Sequence, residues 1–172
     1  PLALGTQTKG SVLRPAAYCG AVGFKPTFGR ISKRNVFPLS WSFDHVGVIC
    51  RSVADAALSL QVLAGHDPAD RSSANQPVDD YAVRLAAQPP RLGIVREFLD
   101  AAQPAIRDHV KDVAQRVERA GAHVVELRLP MGLDVVGAVH DVMMSVEAAA
   151  IHTQLLAKEP NGYAPGLKQA IQ

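Results

Sequence analysis

Leu92-Gly-Ile-Val95, then Pro104 to Ala120, then His123-Val-Val-Glu-Leu-Arg-Leu129 are the consecutive segments whose reading sets the class of this fold. Leu92 to Val95 is a short continuous apolar run, the pattern of a buried strand. Pro104 to Ala120 repeats apolar residues at helical spacing through Ile106, Val110, Val113 and Val117, and Gly121 closes it. His123 to Leu129 alternates, with Val124, Glu126 and Arg128 opposite Val125, Leu127 and Leu129. Strand, helix, strand predicts a right-handed βαβ crossover in a sheet that is at least partly parallel. The class is therefore α/β, a mixed β-sheet core covered by helices.

Leu133 to Ala157 reads as another long helix. Upstream, Val46 to Cys50 reads as a strand and Ser52 as the cap of a helix, with Asp55 three residues on standing in for a capping-box Glu. Val53, Ala56, Ala57, Leu60, Val62 and Leu63 give that helix its apolar residues, and Gly65 ends it. From His66 to Pro90 the chain is rich in Asp, Ser, Asn, Pro and Gln, the texture of a linker or surface excursion, with a helical turn expected at Tyr81 to Leu85. In the first thirty residues Gly5, Gly10, Gly20, Gly23 and Gly29 punctuate short apolar pieces. That is a pattern of tight turns and close backbone approach. Pro15 suits the first position of a short helix after Arg14, Gly20 can stop it, and Ala21 to Phe24 is a short strand. Ser11 then lies in the loop leading into a helix.

The 172 residues are 48% apolar and 20% charged, which excludes a disordered, collagen-like or coiled-coil chain. A net charge of +2 with interspersed signs lacks the footprint of a nucleic-acid binder. Gly132 to Ile151 is the longest apolar stretch, but Asp134, His140, Asp141 and Glu147 interrupt it, so it reads as an amphipathic helix and no membrane span is expected. Cys19 and Cys50 make no disulfide framework and are read as buried thiols in a reducing, cytoplasmic compartment. The chain opens at Pro1 and its last residues, Leu167 to Gln172, read as a helix without a stop signal; a truncated chain is expected.

Chemistry concentrates in Gly5-Thr-Gln-Thr-Lys-Gly-Ser11. A phosphate loop of the Walker type places Lys and then Ser or Thr directly after its second Gly, whereas here Lys9 precedes Gly10. A second reading makes Ser11 a nucleophile presented by a loop whose N–H groups converge on a developing oxyanion. The hydrolase elbow G-x-S-x-G is not matched, because Lys9 and Leu13 stand at its glycine positions. In a third reading Ser11 only caps the following helix.

The string from Gly5 through Lys9-Gly-Ser-Val-Leu-Arg-Pro-Ala-Ala-Tyr-Cys-Gly-Ala-Val-Gly-Phe-Lys-Pro-Thr27, followed by Phe28-Gly-Arg-Ile31, resembles the second half of the signature of the amidase-signature hydrolases. The likeness continues through Ser42-Phe-Asp-His-Val-Gly47, Arg51-Ser-Val-Ala-Asp-Ala-Ala57 and Ala64-Gly-His-Asp-Pro68, and more loosely through Ala120-Gly-Ala-His-Val-Val-Glu126 and Glu147-Ala-Ala to His152. It covers nearly the whole chain as the central to C-terminal part of a single domain, and is weakest between Arg71 and Pro90. What the resemblance implies is a Ser-Ser-Lys amide hydrolase acting on a small-molecule amide, in which a Lys and a second Ser relay a proton for the acyl-accepting Ser. Ser11 holds the nucleophile's position, and the backbone N–H groups of Thr8, Lys9, Gly10 and Ser11 hold that of the oxyanion hole. No metal or organic cofactor is implied, no nucleic-acid or membrane partner is expected, and a homo-oligomer is left open. An amidotransferase component and a catalytically silent relative are the alternative readings. The family's commonest version carries Asp where Gln7 stands, Gly where Lys9 stands and Arg where Leu13 stands, so the usual Asp–Arg support of the loop is not available. The relay Lys and second Ser belong upstream of Gly5.

Elsewhere the default readings are structural. Lys9 can reach a substrate carboxylate or stay solvated, the usual state of a lysine. Lys25, Arg30, Lys33 and Arg34 read as a solvated face. Asp44 and Arg51 flank a strand and are candidates for pairing. Trp41 and Phe43 are assigned to the core, with a pocket lining as the alternative. His140, Glu147 and His152 lack the i, i+4 spacing of a helical metal site.

Overall fold

The computed structural model describes residues 1–83 and 89–171, with the backbone alone at Ala170. The expected helical turn at Tyr81 to Leu85 falls partly outside them. The chain divides into two compact units, Pro1–Val83 with Val142–Gln172, and Arg84–Asp141.

The first unit is organised by a three-stranded antiparallel sheet in which β3 (His45–Cys50) lies between β1 (Ala3–Gln7) and β2 (Val22–Phe24). Strand β1 has no signature of its own, since Ala-Leu-Gly-Thr-Gln carries one β-branched residue; the register Ala3↔Ile49 to Gln7↔His45 against β3 supplies it. Val48, Cys50 and Ala56 form the buried centre, packed by Val22, Phe24 and Leu63. Helix α2 (Val53–Leu63) starts where expected, the Ser52 hydroxyl accepting the Asp55 N–H at 3.1 Å. Only Ala56 and Leu60 of its apolar residues are buried, whereas Val53 and Val62 face outward. The helix is apolar around most of its girth, so periodicity alone does not choose its inner face.

Helix α1 (Leu13–Tyr18) begins two residues before the expected Pro15. The reason is Gln7, whose side-chain oxygen accepts the N–H groups of Val12 and Leu13, both at 3.0 Å, and so completes a helical start that the sequence order hides. Gly20, at φ +62°, ends it. Cys19 sits at its C-cap and is exposed, contrary to the buried thiol expected, while Cys50 is buried as expected. The helix packs by close approach: a Cβ on Gly23 stands 2.8 Å from the Val12 carbonyl oxygen, and one on Gly47 stands 2.6 Å from the Phe24 carbonyl oxygen. Val12, wholly buried, fills the space those two glycines leave.

The segment after α2 is laid down onto residues 29–33 rather than strung out as a linker. The Ala74 N–H donates to the Gly29 carbonyl (2.9 Å), the Lys33 N–H to Asp70 (2.7 Å) and the Ser32 hydroxyl to Asp67 (2.8 Å). From α5 (Leu133–Lys158) this unit receives Glu147, Ala148 and His152 as buried residues, and α6 (Pro165–Ile171) follows. By length and composition alone α5 could cross a membrane. Its buried Glu147 and His152 are hydrogen-bonded to the 38–42 turn, the placement of a helix packed on protein.

The second unit holds the βαβ element. Strand β4 (Arg91–Val95) pairs in parallel with β5 (His123–Leu127), from Arg91↔His123 to Val95↔Leu127, and the crossover runs through α3 (Arg96–Ala101) and α4 (Pro104–Arg119). Helix α3 was not legible in the pattern. Leu92 is exposed, not buried as its apolar run implies, because nothing among the described residues covers its side chain on the sheet face. The class is α/β, with an antiparallel sheet in one unit and a parallel pair in the other.

Candidate active site

Between the end of β1 at Gln7 and the start of α1 at Leu13 the chain has five residues in which to turn from strand to helix. The Gln7 side chain spans that turn to hold Val12 and Leu13, and the Gly10 carbonyl accepts the Arg14 N–H at 2.9 Å. Gln7 is itself buried, which fixes the carboxamide. A neutral Gln thus closes the loop without an Asp–Arg pair. Ser11 stands exposed at the crest, and its hydroxyl caps nothing: α1 has Val12 as its N-cap and no side-chain cap bond. The cap reading is therefore corrected. Among the described residues the N–H groups of Gly10 and Ser11 meet no acceptor, which leaves two neighbouring donors of the turn open. Thr8 and Lys9 are engaged within the protein.

Register places the next partner. Because Gln7 lies opposite His45, Thr8 lies opposite Asp44, and the Thr8 hydroxyl donates to Asp44 Oδ1 at 2.6 Å. Asp44 Oδ2 accepts the N–H groups of Leu39 (2.7 Å) and Ser40 (2.9 Å), and the residue is 7% exposed. No Asp44–Arg51 pair forms among the described residues, since Asp44 is turned inward and Arg51 is exposed. Behind this turn Glu147 accepts the hydroxyls of Ser40 and Ser42 and the Ser42 N–H (3.0 Å). Burial alone lifts the Glu147 carboxyl; the Ser40 and Ser42 bonds, with the Lys33 charge, outweigh it and hold the group below its ordinary range. His152 completes the support. Its Nε2 lies 2.9 Å from the Pro38 carbonyl, which can only accept, so the proton is on Nε2; Nδ1 meets the Tyr163 hydroxyl at 2.9 Å.

Lys33 and Arg30 depart from the solvated face expected of the basic cluster. Arg30 reaches the carbonyls of Gln76 and Pro77 and the Tyr81 hydroxyl. Lys33 Nζ donates to the Trp41 carbonyl (3.0 Å) and sits 4.3 Å from the centre of the Phe28 ring. Partial burial depresses its pKa, and the nearby Asp70, Asp44 and Glu147 charges oppose that shift. With Val36, Pro38, Trp41, Asp44 and Asp70 it lines a cavity of about 200 Å³. Trp41 is 52% exposed at that rim rather than packed in the core. Neither the Thr8–Asp44 bond nor the Glu147 clasp was foreseen. Antiparallel register could have signalled the first, but nothing local signals a contact between residues 105 apart in sequence.

The amidase family model matches residues 1–169. The chain belongs to the amidase family. An amidase of Pseudomonas putida is 39% identical over 175 residues, spanning 99% of this chain and 37% of its own. The A-type component of the glutamyl-tRNA(Gln) amidotransferase of Anaeromyxobacter sp. (strain K) is 44% identical over 138 residues, covering 78% of this chain and 28% of its own. A crystal structure of an amidase superposes with TM-score 0.80 at 33% identity, over 99% of this chain and 36% of that one. This amidase-family chain thus spans about a third of the length of the relatives it matches. The shared third contains the strand–turn–helix that carries Ser11.

Proposed function

We propose that residues 1–172 carry the acyl-accepting serine of a carbon–nitrogen amide hydrolase of the Ser-Ser-Lys type. The observation behind the reading is the exposed Ser11 hydroxyl on a strand-to-helix turn where the Gly10 and Ser11 N–H groups have no acceptor among the described residues. Ser11 Oγ attacks the amide carbonyl of a small-molecule substrate. The carbonyl oxygen gains charge and meets the N–H groups of Gly10 and Ser11; the resemblance to the amidase signature assigns those of Thr8 and Lys9 to the same hole. Each donor aimed at such an oxygen contributes on the order of 3 kcal/mol to the transition state. The Ser11 proton leaves through a Lys and a second Ser supplied from outside these residues and reaches the departing amine. Water then resolves the ester. The route uses side chains and water only, and the reducing setting inferred from the cysteines points to the cytoplasm.

The likeness to amidotransferase components favours one second reading, release of ammonia from an amide for transfer to an acylated acceptor. Tight co-purification with partner proteins would mark that case.

In the full-length polypeptide, a fluorophosphonate probe is expected to modify Ser11, located by peptide mapping. Ser11→Ala should abolish labelling and lower amide turnover by roughly four orders of magnitude. Labelling elsewhere with turnover retained in Ser11→Ala overturns the assignment.

A further inference from the structure

We infer that Asp44 is a positioning residue for the oxyanion donors, acting through the Thr8 hydroxyl; this rests on the reading of Ser11 given above. Three observations carry it. The Thr8–Asp44 bond, 2.6 Å long, ties the start of the turn to a carboxylate that is 7% exposed. Charge-assisted bonds of this kind are about twice as strong as neutral ones. Asp44 does not float, because Leu39 and Ser40 donate their N–H groups to its other oxygen, and the Asp44 N–H returns a bond to the Ser40 carbonyl at 2.9 Å. The 39–44 turn is in turn held from behind, Ser40 and Ser42 donating to Glu147.

The loop therefore has two anchors of different kinds. Gln7 fixes its far end by holding the N–H groups of Val12 and Leu13. Asp44 fixes its near end at Thr8. The open N–H groups of Gly10 and Ser11 lie between them. With both ends tied, the direction of those N–H groups is set before substrate arrives, the condition under which such donors stabilise a transition state most. Releasing the near end leaves the far anchor, and with it the helix, in place. Substrate binding survives, but the donors lose their aim, and a misplacement of about 1 Å costs on the order of 100-fold in rate.

The test uses the full-length polypeptide and an amide it turns over. Thr8→Val keeps the shape and removes the hydroxyl. Asp44→Asn can turn its oxygen to the Leu39 and Ser40 N–H groups and its NH2 to the Thr8 oxygen, so it exchanges the charge-assisted tie for a neutral one about half as strong. Thr8→Val should lower kcat about 10- to 100-fold and Asp44→Asn by less, with KM changed less than about three-fold in both. A trifluoromethyl ketone, which forms an oxyanion adduct with the serine, should lose affinity in parallel with kcat/KM. Thr8→Ser, which restores the hydroxyl, should recover most of the rate lost in Thr8→Val. The double variant should cost no more than the worse single one.

If Asp44→Asn fails to fold, Thr8→Val and Thr8→Ser decide alone, with thermal melts to show that the fold is retained. A kcat within about two-fold of wild type in Thr8→Val, or a loss confined to KM, overturns the inference while Ser11→Ala remains inactive. Activity surviving in Ser11→Ala instead overturns the reading beneath it.

Discussion

Glu147 is a carboxylate almost withdrawn from water, 6% exposed, whose oxygens are occupied by Ser40 and Ser42. Such a group stabilises the fold only while it is ionised. Its pKa is depressed below the ordinary 4.5 in the native state, so the unfolded chain takes up its proton first as pH falls. Its stabilisation is therefore complete above about 4.5 and fades as pH drops through the lower native value, where both states are protonated. Glu147→Gln keeps an acceptor but removes the charge, and hydrogen bonds to a charged group are worth roughly 1.5–3 kcal/mol each. The gap in unfolding free energy between wild type and this variant should be roughly 1–3 kcal/mol at neutral pH. It should shrink toward zero in strongly acidic buffer. Urea titrations across that range measure it, and a gap independent of pH would show that the carboxylate charge does not hold the 40–42 turn. Asp67 and Asp70 are depressed as well and soften the same acid limb in both proteins, which is why the difference is the quantity to follow.

At the scale of elements, the candidate site is a product of how closely α1 sits on the sheet. Gly47 lies in the middle of β3 with the Phe24 carbonyl oxygen 2.6 Å from where a Cβ would stand and both Val12 methyls at 3.2 Å. Backbone on one side and a wholly buried valine on the other leave no flexible side chain to yield. Gly47→Ala should destabilise the protein by about 1–3 kcal/mol, the usual cost of overpacking, and displace Val12 and with it the crest at Ser11. Val12→Ala in the same background removes the two 3.2 Å contacts and gives the strand room to shift off the Phe24 oxygen. Chemical denaturation should show the pair costing less than the two single losses added together; strict additivity would mean that Val12 is not what the methyl meets. Strong local signals located β3, α2 through its Ser52 cap, α4, and the β4–β5 crossover, because each is written within a few turns of chain. Strand β1, the early start of α1 and the exposure of Val53 and Val62 were illegible. The first depends on its partner, the second on a Gln side chain reaching five residues ahead, and the third on which neighbours cover a helix apolar around most of its girth. At the site the position of Ser11 was legible, whereas its support was not. Thr8–Asp44 and Glu147–Ser40 join residues 36 and 107 apart, set by tertiary packing.

On the scale of the molecule, the described residues leave much apolar surface without cover. In the first unit Tyr18 and Val62 are each 82% exposed, and Val142 and Val146 stand out from α5; in the second, Ile106 of α4, Phe98 of α3 and Val139 of α5 do the same. Faces of this kind in a soluble protein are normally packed against something. The relatives that share this third of their length have two further thirds in which such cover can lie. The same arithmetic bears on chemistry. Within 1–172 the Ser11 hydroxyl has no base hydrogen-bonded to it among the described residues, and an unactivated serine is a poor nucleophile at neutral pH. Residues 1–172 expressed alone should therefore hydrolyse no simple amide, and should bind a dye that reports exposed apolar surface, whereas the full-length polypeptide should turn over amides and bind little dye. Adding back the remaining residues in trans should quench the dye signal and, if the interface re-forms, restore turnover that Ser11→Ala abolishes. Turnover by 1–172 alone that disappears in Ser11→Ala would place a base for Ser11 within these residues, and turnover that persists in Ser11→Ala would remove the serine from the mechanism altogether.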